Sequence, residues 1–297
     1  PGYVGGMGTG EHDQHHGHHH HGHHHGHHDD GFDWEAMADS LELDAWIMLP
    51  LVAATVKEPA ARIEWRNVRH VLDVGCGTGN LAMRLADDPE IVSVCGLDLS
   101  AVYVEYADRR NIDPRLGFQV GDACALPFPD ASFDHAVSML LLQFVPQADS
   151  AVREMRRVTR PGGTVAAATW DTRGGFVALR MFYDAAAMLD QNGCRARAAA
   201  YTRPMSRPGD LTSAWRDAGL VDVVEDTLTI RMEFASFADF WAPSEGKEGP
   251  MAEYVGTLGA DAKARLRDVV RLAYLDGEAD GARSYAATAW VVKGRVP

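Results

Sequence analysis

The sequence predicts an α/β fold in which a mostly parallel sheet carries helices on both faces. Three observations predict it. Valine-rich runs of strand length recur from residue 69 onward, stretches with helical periodicity lie between them, and the first run ends in a glycine-rich turn. Strands that alternate with helices form βαβ units, which assemble parallel sheets. The 297 residues can bury a sizeable core, and we expect one such domain.

The predicted strands are short runs rich in valine or other apolar residues. They lie at 69–75, 91–100, 117–122, 133–140, 162–170, 221–234 and 284–295. The predicted helices lie at 80–88, 101–110, 149–160, 177–191 and 208–220. The long segment between the last two strands is largely helical, so we expect helical cap insertions at about 176–207 and 235–280.

The chain before the predicted domain falls into two parts. Residues 1–31 are glycine, histidine and acidic residues with almost no apolar groups, so we expect a disordered, histidine-rich tail. In residues 32–67, Trp34, Met37 and Leu41 recur at helical spacing, which predicts an N-terminal helical cap. The main domain then covers 68–297.

Charge and cysteine content indicate the class of partner and the compartment. The net charge of −14 argues against nucleic-acid partners and anionic membranes. The four cysteines form no C-x-x-C pair, which is typical of free thiols in a reducing cytoplasm. The apolar stretch 45–56 is too short to span a bilayer and contains Pro50, and the N-terminus does not resemble a signal peptide. We therefore expect a cytoplasmic protein without membrane insertion, and the oligomeric state stays open.

The glycine-rich turn "VLDVGCGTGN" (71–80) follows the first predicted strand and precedes a predicted helix. Gly75, Gly77 and Gly79 would allow a sharp turn and a close approach of a ligand to the backbone. The spacing is G-x-G-x-G, whereas dinucleotide-binding loops have G-x-G-x-x-G. The turn therefore predicts a ligand site but disfavours a nicotinamide dinucleotide.

Two acidic residues end the next two predicted strands. Asp98 closes "GLDLS", where an acid can accept hydrogen bonds from both hydroxyls of a ribose. Ser100 can cap the following helix, which would leave Asp98 free for a ligand. Asp122 follows the third strand in "GDA". Open α/β sheets bind ligands at this carboxyl edge, so both acids are candidate ligand contacts.

These segments carry a resemblance to a known family. "VLDVGCGTGNLA", "GLDLS", "GDACALPFPDASFD" and "AVREMRRVTRPGG" resemble the successive motifs of class I S-adenosylmethionine-dependent methyltransferases. Within that class they are similar to the type 11, ubiquinone/menaquinone-biosynthesis-like group. The resemblance covers about 68–297 and is strongest over 70–171. It implies a Rossmann-like fold with an open seven-stranded sheet whose last strand is antiparallel.

The resemblance also implies a binding site for S-adenosylmethionine. The glycine loop would lie along the methionine part, Asp98 would hold the ribose hydroxyls, and Leu99 would line the adenine. Asp122 would accept a hydrogen bond from the adenine amino group, and Met139 and Leu140 would lie near the sulfonium. The implied cofactor-binding residues are Asp73, Gly75, Gly77, Gly79, Asp98, Leu99, Asp122, Ala123, Met139 and Leu140.

Methyl transfer from a sulfonium needs no metal and can be driven largely by proximity and orientation. Many members of the family have a histidine after strand four, but this chain has "LLLQFVP", with Gln143 near that place. His70 and His135 should lie at the amino edge of the sheet, away from the cofactor. We therefore hypothesise a mechanism without a histidine base. The remaining candidate catalytic residues are Asp171, Tyr183 and Glu245.

The acceptor should lie against the cap, because insertions at the ligand edge of a fold set substrate choice. The cap is rich in aromatic and aliphatic residues, which predicts a small, partly apolar organic acceptor such as a secondary metabolite or a quinone-like ring. The methylated atom, oxygen, nitrogen, carbon or sulfur, stays open. The candidate pocket residues are Trp34, Trp170, Phe182, Tyr183, Phe237 and Trp241.

The histidine-rich tail can bind divalent metal ions, because neutral imidazole is a good ligand for them. The candidate ligands are His15, His16, His18, His19, His20, His21, His23, His24 and His25. We expect adventitious binding that is dispensable for turnover. Two alternative functions stay open: a metal-buffering protein on a relic methyltransferase fold, and a nicotinamide-dependent oxidoreductase.

Overall fold

The structure is a computed structural model that describes residues 70–246 and 249–297. The predicted tail 1–31 and N-terminal helical cap 32–67, with Trp34 and the candidate metal-binding histidines, lie outside the described residues. All seven predicted strands are present. They are β1 (His70–Val74), β2 (Ser93–Asp98), β3 (Leu116–Val120), β4 (Phe133–Met139), β5 (Thr159–Trp170), β6 (Val221–Phe234) and β7 (Arg283–Arg295).

The strands form one seven-stranded sheet in the order β3-β2-β1-β4-β5-β7-β6. Neighbours among β1 to β5 are parallel, and β7 runs antiparallel to both β5 and β6. The predicted mostly parallel sheet with an antiparallel last strand is confirmed. Because the order reverses between β1 and β4, their carboxyl ends open a crevice of the kind in which α/β sheets bind ligands.

The helices of the described ranges cover both faces of this sheet. They are α1 (Asn80–Ala86), α2 (Ala101–Arg110), α3 (Ala148–Val158), α4 (Val177–Leu189), α5 (Gln191–Tyr201), α6 (Asp210–Asp217), α7 (Phe237–Trp241), α8 (Pro250–Gly256) and α9 (Ala260–Leu275). Short 3-10 turns occupy Leu142–Phe144 and Ala242–Glu245. None of these helices has the length and apolarity needed to cross a bilayer.

The core consists of two layers separated by the sheet. Successive side chains of a strand point to opposite faces, so the neighbours Val71 and Leu72 of β1 belong to two different buried clusters. The Leu72 cluster includes Met155 of α3 and Trp215 of α6, whose indole donates to the Val165 carbonyl at 2.9 Å. Burying side chains of this size contributes about 1.5–3 kcal/mol each. The sheet is therefore fixed from both sides.

The two predicted insertions form a helical layer over the Val71 face of the sheet. The first contains α4 and α5, and the second contains α7, α8 and α9. Phe182 of α4 lies 6.2 Å, between ring centroids, from Trp241 of α7 and 6.1 Å from Tyr254 of α8. Aromatic contacts of this kind join the two insertions into one layer.

The end of the predicted helix 177–191 is wrong, because the helix ends at Leu189 and a new helix begins directly after Asp190. The backbone of Asp190 is extended, and its carboxylate accepts the Gly193 amide at 2.9 Å as the N-cap of α5. Aspartate is among the preferred N-cap residues because its side chain satisfies an unpaired amide of the first turn. The cap therefore contains two helices where one was predicted.

Candidate active site

The glycine loop turns away from the end of β1 through left-handed backbone conformations. Gly75 has φ of 75°, and a β-carbon there would lie 2.6 Å from the Leu141 side chain. Gly77 has φ of 50°, and a β-carbon there would meet nothing within 4 Å. Both conformations favour glycine. The loop thus packs tightly at Gly75 against Leu141, which follows β4, and leaves open space at Gly77.

Asp98 braces this loop from the end of β2. Its Oδ2 accepts the Gly77 amide at 2.9 Å, and its Oδ1 accepts the Ser100 amide at 2.9 Å. Ser100 caps α2 as expected, since its hydroxyl accepts the Tyr103 amide at 3.4 Å. The Asp98 carboxylate therefore does not cap the helix in place of Ser100, although it accepts the Gly77 and Ser100 amides, and its contact with a ligand stays a prediction. Each oxygen keeps a second lone pair for a ligand.

Asp73 is a buried carboxyl group beside the loop. It is 1% exposed, and neither oxygen has a hydrogen-bond partner in the described part of the chain. Burial, with the charge of Asp98 as a further cause, raises the pKa of Asp73 to about 7. An unpaired carboxyl in such a place is typical of a site that receives a cationic ligand.

A cavity of about 340 Å³ lies in the crevice and extends from the glycine loop to the cap helices. Asp73, Thr78, Asn80 and Asp98 provide polar groups beside the loop. Most of the remaining wall is apolar. Its larger apolar side chains are Leu81, Met139, Leu140, Leu141, Phe144, Trp170, Phe176, Leu179 and Met251. An enclosure of this size and lining fits small organic molecules.

The cavity brings together six of the ten predicted cofactor-binding residues. They are Asp73, Gly75, Gly77, Asp98, Met139 and Leu140. The others do not line it: Gly79 is buried, Leu99 is 73% exposed, Ala123 lies in the core, and Asp122 accepts the Cys124 amide at 2.8 Å. Leu99, Asp122 and Ala123 follow β2 and β3, further along the same sheet edge, and their predicted contact with adenine stays a prediction.

Of the candidate catalytic residues, Tyr183 lines the cavity and the other two do not. Burial raises the pKa of Tyr183 to about 12. The side chain of Asp171 points toward the loop that follows β5, where its carboxylate accepts the Gly174 amide at 3.0 Å. Glu245 lies 3.4 Å from the ammonium group of Lys263, with its side chain half exposed. These contacts hold both carboxylates outside the cavity.

Trp170 and Tyr183 line the cavity as predicted, whereas Phe182, Phe237 and Trp241 do not. Those three rings are at most 2% exposed and belong to the aromatic core that joins the insertions. The Phe182 ring packs instead against Trp241 and Tyr254, with ring centroids 6.2 and 6.1 Å away. Their assignment to the acceptor pocket is therefore wrong.

Several lining residues were not assigned to a ligand site from the sequence. Gln143 is buried, and its side-chain carbonyl accepts the Trp170 amide at 2.7 Å, which ties the end of β4 to β5. The guanidinium of Arg203 lies over the Phe144 ring, 4.5 Å from its centroid. The Thr172 hydroxyl is buried without a partner. A basic or hydroxyl residue in a loop carries no periodic signal, so only the fold reveals these positions.

The two histidines of the described chain lie at the amino edge of the sheet, as expected. His70 shares a hydrogen bond of 2.7 Å with the Ser93 hydroxyl. His135 is buried, and its Nδ1 accepts the Thr164 amide at 3.0 Å. Within the described ranges, no group of three or more histidine, cysteine or acidic side chains is arranged to hold a metal ion.

Comparison with known proteins agrees with the loop, the crevice and the sheet order. The family model described as "Methyltransferase domain", of the type 11 family, matches residues 72–167. This segment is a methyltransferase domain. It contains β1 to β4, most of β5 and the glycine loop, and it favours methyl transfer over the oxidoreductase and metal-buffering alternatives.

Two curated relatives each match about a third of the chain. Demethylmenaquinone methyltransferase of Beutenbergia cavernae is 43% identical over 115 residues, which are 38% of this chain and 46% of that protein. The 27-O-demethylrifamycin SV methyltransferase of Amycolatopsis mediterranei is 39% identical over 100 residues, 32% of this chain and 36% of that protein. The methyltransferase domain therefore aligns with less than half of the length of either relative.

A solved structure shows the same fold over most of the chain. Phosphoethanolamine N-methyltransferase 2 of Haemonchus contortus, in complex with S-adenosyl-L-methionine, superposes with a TM-score of 0.54 and 16% sequence identity. The superposition covers 90% of this chain and 60% of that one. The methyltransferase domain and its cap thus share a class I, Rossmann-like architecture.

Proposed function

We propose that this chain transfers a methyl group from S-adenosylmethionine to a small, partly apolar organic acceptor and releases S-adenosylhomocysteine. The observation that carries the proposal is one continuous cavity that joins the glycine loop of the methyltransferase domain to the apolar cap. One end offers carboxylates and backbone to a charged cofactor, and the other offers aromatic and aliphatic walls to an acceptor.

The residues at the loop end fit S-adenosylmethionine, which carries a sulfonium and an ammonium group. Asp73 supplies a buried carboxyl without a partner, Asp98 supplies a braced carboxylate, and Gly77 leaves open space for a ligand. When bound, the cofactor supplies an activated methyl group. We assign the adenine to the edge of the sheet where Leu99 and Asp122 are exposed, next to the buried Ala123.

In the transfer, the acceptor atom forms a bond to the methyl carbon while the carbon–sulfur bond breaks and its electron pair stays on sulfur. A neutral acceptor would also lose a proton. Tyr183 stays protonated near neutral pH because its pKa is about 12, so it donates a hydrogen bond and positions the acceptor. Met139, Leu140 and Trp170 exclude water from the reacting groups. Proximity and orientation then supply most of the acceleration.

The relatives, the apolar cavity wall, the net charge and the free cysteines support the proposed class of acceptor and the compartment. The two relatives act, by their names, on demethylmenaquinone and on a demethylated rifamycin, and the apolar wall suits organic molecules of that kind. The net charge of −14 disfavours nucleic acid. The four cysteines are free, which favours the cytoplasm.

Calorimetric titration with S-adenosylhomocysteine tests the proposal. We expect binding, and we expect Asp98→Ala to weaken it by about 1–3 kcal/mol, the cost of losing a hydrogen-bonding partner in a buried site. The matched control is Asp217→Ala, an exposed residue at the end of α6, which should leave binding unchanged. A folded chain that bound NADH and neither S-adenosylmethionine nor its product would overturn the assignment. Incubation of cell-extract metabolites with methyl-labelled S-adenosylmethionine would then identify the acceptor.

A further inference from the structure

Arg203 places a positive charge in the wall of an otherwise mostly apolar cavity. It follows α5, is half-buried, and rests on the Phe144 ring at 4.5 Å. Within residues 70–246 and 249–297, its guanidinium forms no ion pair, although Glu253 of α8 and the Tyr183 phenol are its charged or titratable neighbours. Burial lowers the pKa of Arg203, and those two groups oppose the change. A half-buried cation that forms no ion pair in a cavity wall is a candidate contact for an anionic group of a ligand.

A second polar group in the same wall lacks a partner. Thr172 follows β5, is 2% exposed, and its hydroxyl forms no hydrogen bond in the described structure. Buried hydroxyls are normally hydrogen-bonded, so an unpaired one in a cavity wall is a candidate ligand contact. Arg203 and Thr172 therefore offer a cation and a hydroxyl donor to whatever occupies the cavity.

The charges of the cavity lining are divided between two groups of residues. Asp73 of β1 and Asp98 of β2 lie beside the glycine loop and suit a cationic cofactor, whereas Arg203 belongs to the cap. An acceptor with a negative group would be repelled by the two carboxylates and attracted by the guanidinium. The electrostatics thus favour one orientation of such an acceptor.

We propose that Arg203 binds a carboxylate on an otherwise apolar methyl acceptor and so determines which acceptors are selected. This inference rests on the proposed methyl-transfer function. A planar guanidinium pairs bidentately with a carboxylate. A dianionic phosphate would call for a second cation, and the described lining residues include no other lysine or arginine. The apolar wall accounts for the rest of the acceptor.

The test measures binding of two matched pairs of probes to the full chain by calorimetry, with and without saturating S-adenosylhomocysteine. The pairs are octanoate with octanamide and 2-naphthoate with 2-naphthamide, which differ in charge but hardly in shape. We expect the acid of at least one pair to bind about tenfold tighter than its amide, the scale of one charge-assisted bidentate contact. Arg203→Met should abolish that preference, and Arg203→Lys should retain part of it.

The control variant is Arg207→Met, an exposed arginine four residues later that does not line the cavity, and it should keep the preference for the acid. Equal binding of acid and amide in both pairs, or no binding of either acid, would overturn the proposal even if Arg203→Met failed to fold. Loss of S-adenosylhomocysteine binding in Arg203→Met, with the acid preference unchanged, would instead assign Arg203 to the cofactor and also overturn it. Failure of the wild-type chain to bind S-adenosylhomocysteine would reject the methyl-transfer function, and the titrations without it would still report on Arg203.

Discussion

The buried carboxyl of Asp73 should make the stability of the ligand-free protein depend on pH. Its pKa rises from 3.8 to about 7 on folding, chiefly because burial disfavours the charged form and secondly because Asp98 is near. A carboxyl with a raised pKa in the folded state binds its proton more tightly there than in the unfolded chain. Stability is therefore lost as the pH rises from about 4 to about 7, and Asp73→Asn removes this loss.

The magnitude follows from the two pKa values. A difference of about three pH units corresponds to about 4 kcal/mol once both states are ionised, of which about 1.7 kcal/mol is already present at pH 5. Since asparagine stays neutral, the free energy of unfolding of Asp73→Asn minus that of the wild type should grow by about 2.5 kcal/mol between pH 5 and pH 8.

Urea unfolding of both proteins at pH 5 and pH 8, without ligand, measures this quantity. The control is Asp217→Asn, an exposed carboxyl whose replacement should have the same small effect at both pH values. A difference between Asp73→Asn and the wild type that did not change with pH would refute the reasoning, because Asp73 would then ionise without cost. The same variant should weaken S-adenosylhomocysteine binding at pH 8, where it removes the charge that fits the ligand's ammonium group.

Two further predictions concern Tyr183 and the tail. Tyr183→Phe should lower kcat less than about tenfold and leave the pH profile of kcat unchanged below pH 9, because a phenol with a pKa of about 12 is not a base at those pH values. A hundredfold loss of kcat together with a changed pH profile, in assays with a labelled acceptor, would contradict this prediction. Removal of residues 1–30 should leave kcat and KM unchanged after chelation, since methyl transfer needs no metal and this segment of glycine, histidine and acidic residues has almost no apolar groups with which to build a pocket wall. Activity lost on removal and restored to the full chain by one metal would show the opposite.

The sheet could be predicted from the sequence because each strand is a separate apolar run. Strand ends were less predictable. The fifth strand was predicted to begin at 162, because "TRPGG" resembles a turn. In the fold it begins at Thr159, which pairs with Phe133 of β4. Such pairing depends on a partner distant in the chain, and local sequence does not contain it. The same holds for Asp190, where one side-chain cap divides a helix.

The loop end of the candidate site could be predicted, and the cap end could not. Asp73, Gly75 and Asp98 follow strands at fixed spacing, so the topology of the sheet places them together. Phe182 and Arg203 both lie in the first cap insertion, and the packing of its helices decides which side chains face the cavity. The apolar composition of the insertion favoured Phe182, whereas the structure places Arg203 in the cavity wall. An aromatic residue in a cap fits a core and a pocket equally well until the direction of its helix face is known.

The positions of the two histidines constrain the chemistry of the acceptor. His70 and His135 lie at the amino edge of the sheet, whereas the cavity lies at its carboxyl edge. The length of β1 separates the two edges, since each of its residues extends the strand by about 3.3 Å. Among the described lining residues, the groups that could in principle take a proton from the acceptor are the carboxyls of Asp73 and Asp98 beside the loop, the Cys76 thiol, whose pKa is raised by burial, and the phenols of Tyr103 and Tyr183.

Asp73 and Asp98 lie at the loop end, where we place the cationic cofactor, and the Cys76 thiol and the Tyr183 phenol stay protonated near neutral pH, so none of these four groups is assigned as a base for the acceptor. A neutral alcohol would therefore have to lose its proton without help, whereas an acceptor that already has an available electron pair, such as a carboxylate or a neutral amine, needs no proton removed before attack. An acceptor of this kind would explain why a site without a base can still work, because the fold then has only to hold the two reactants in line and keep water away.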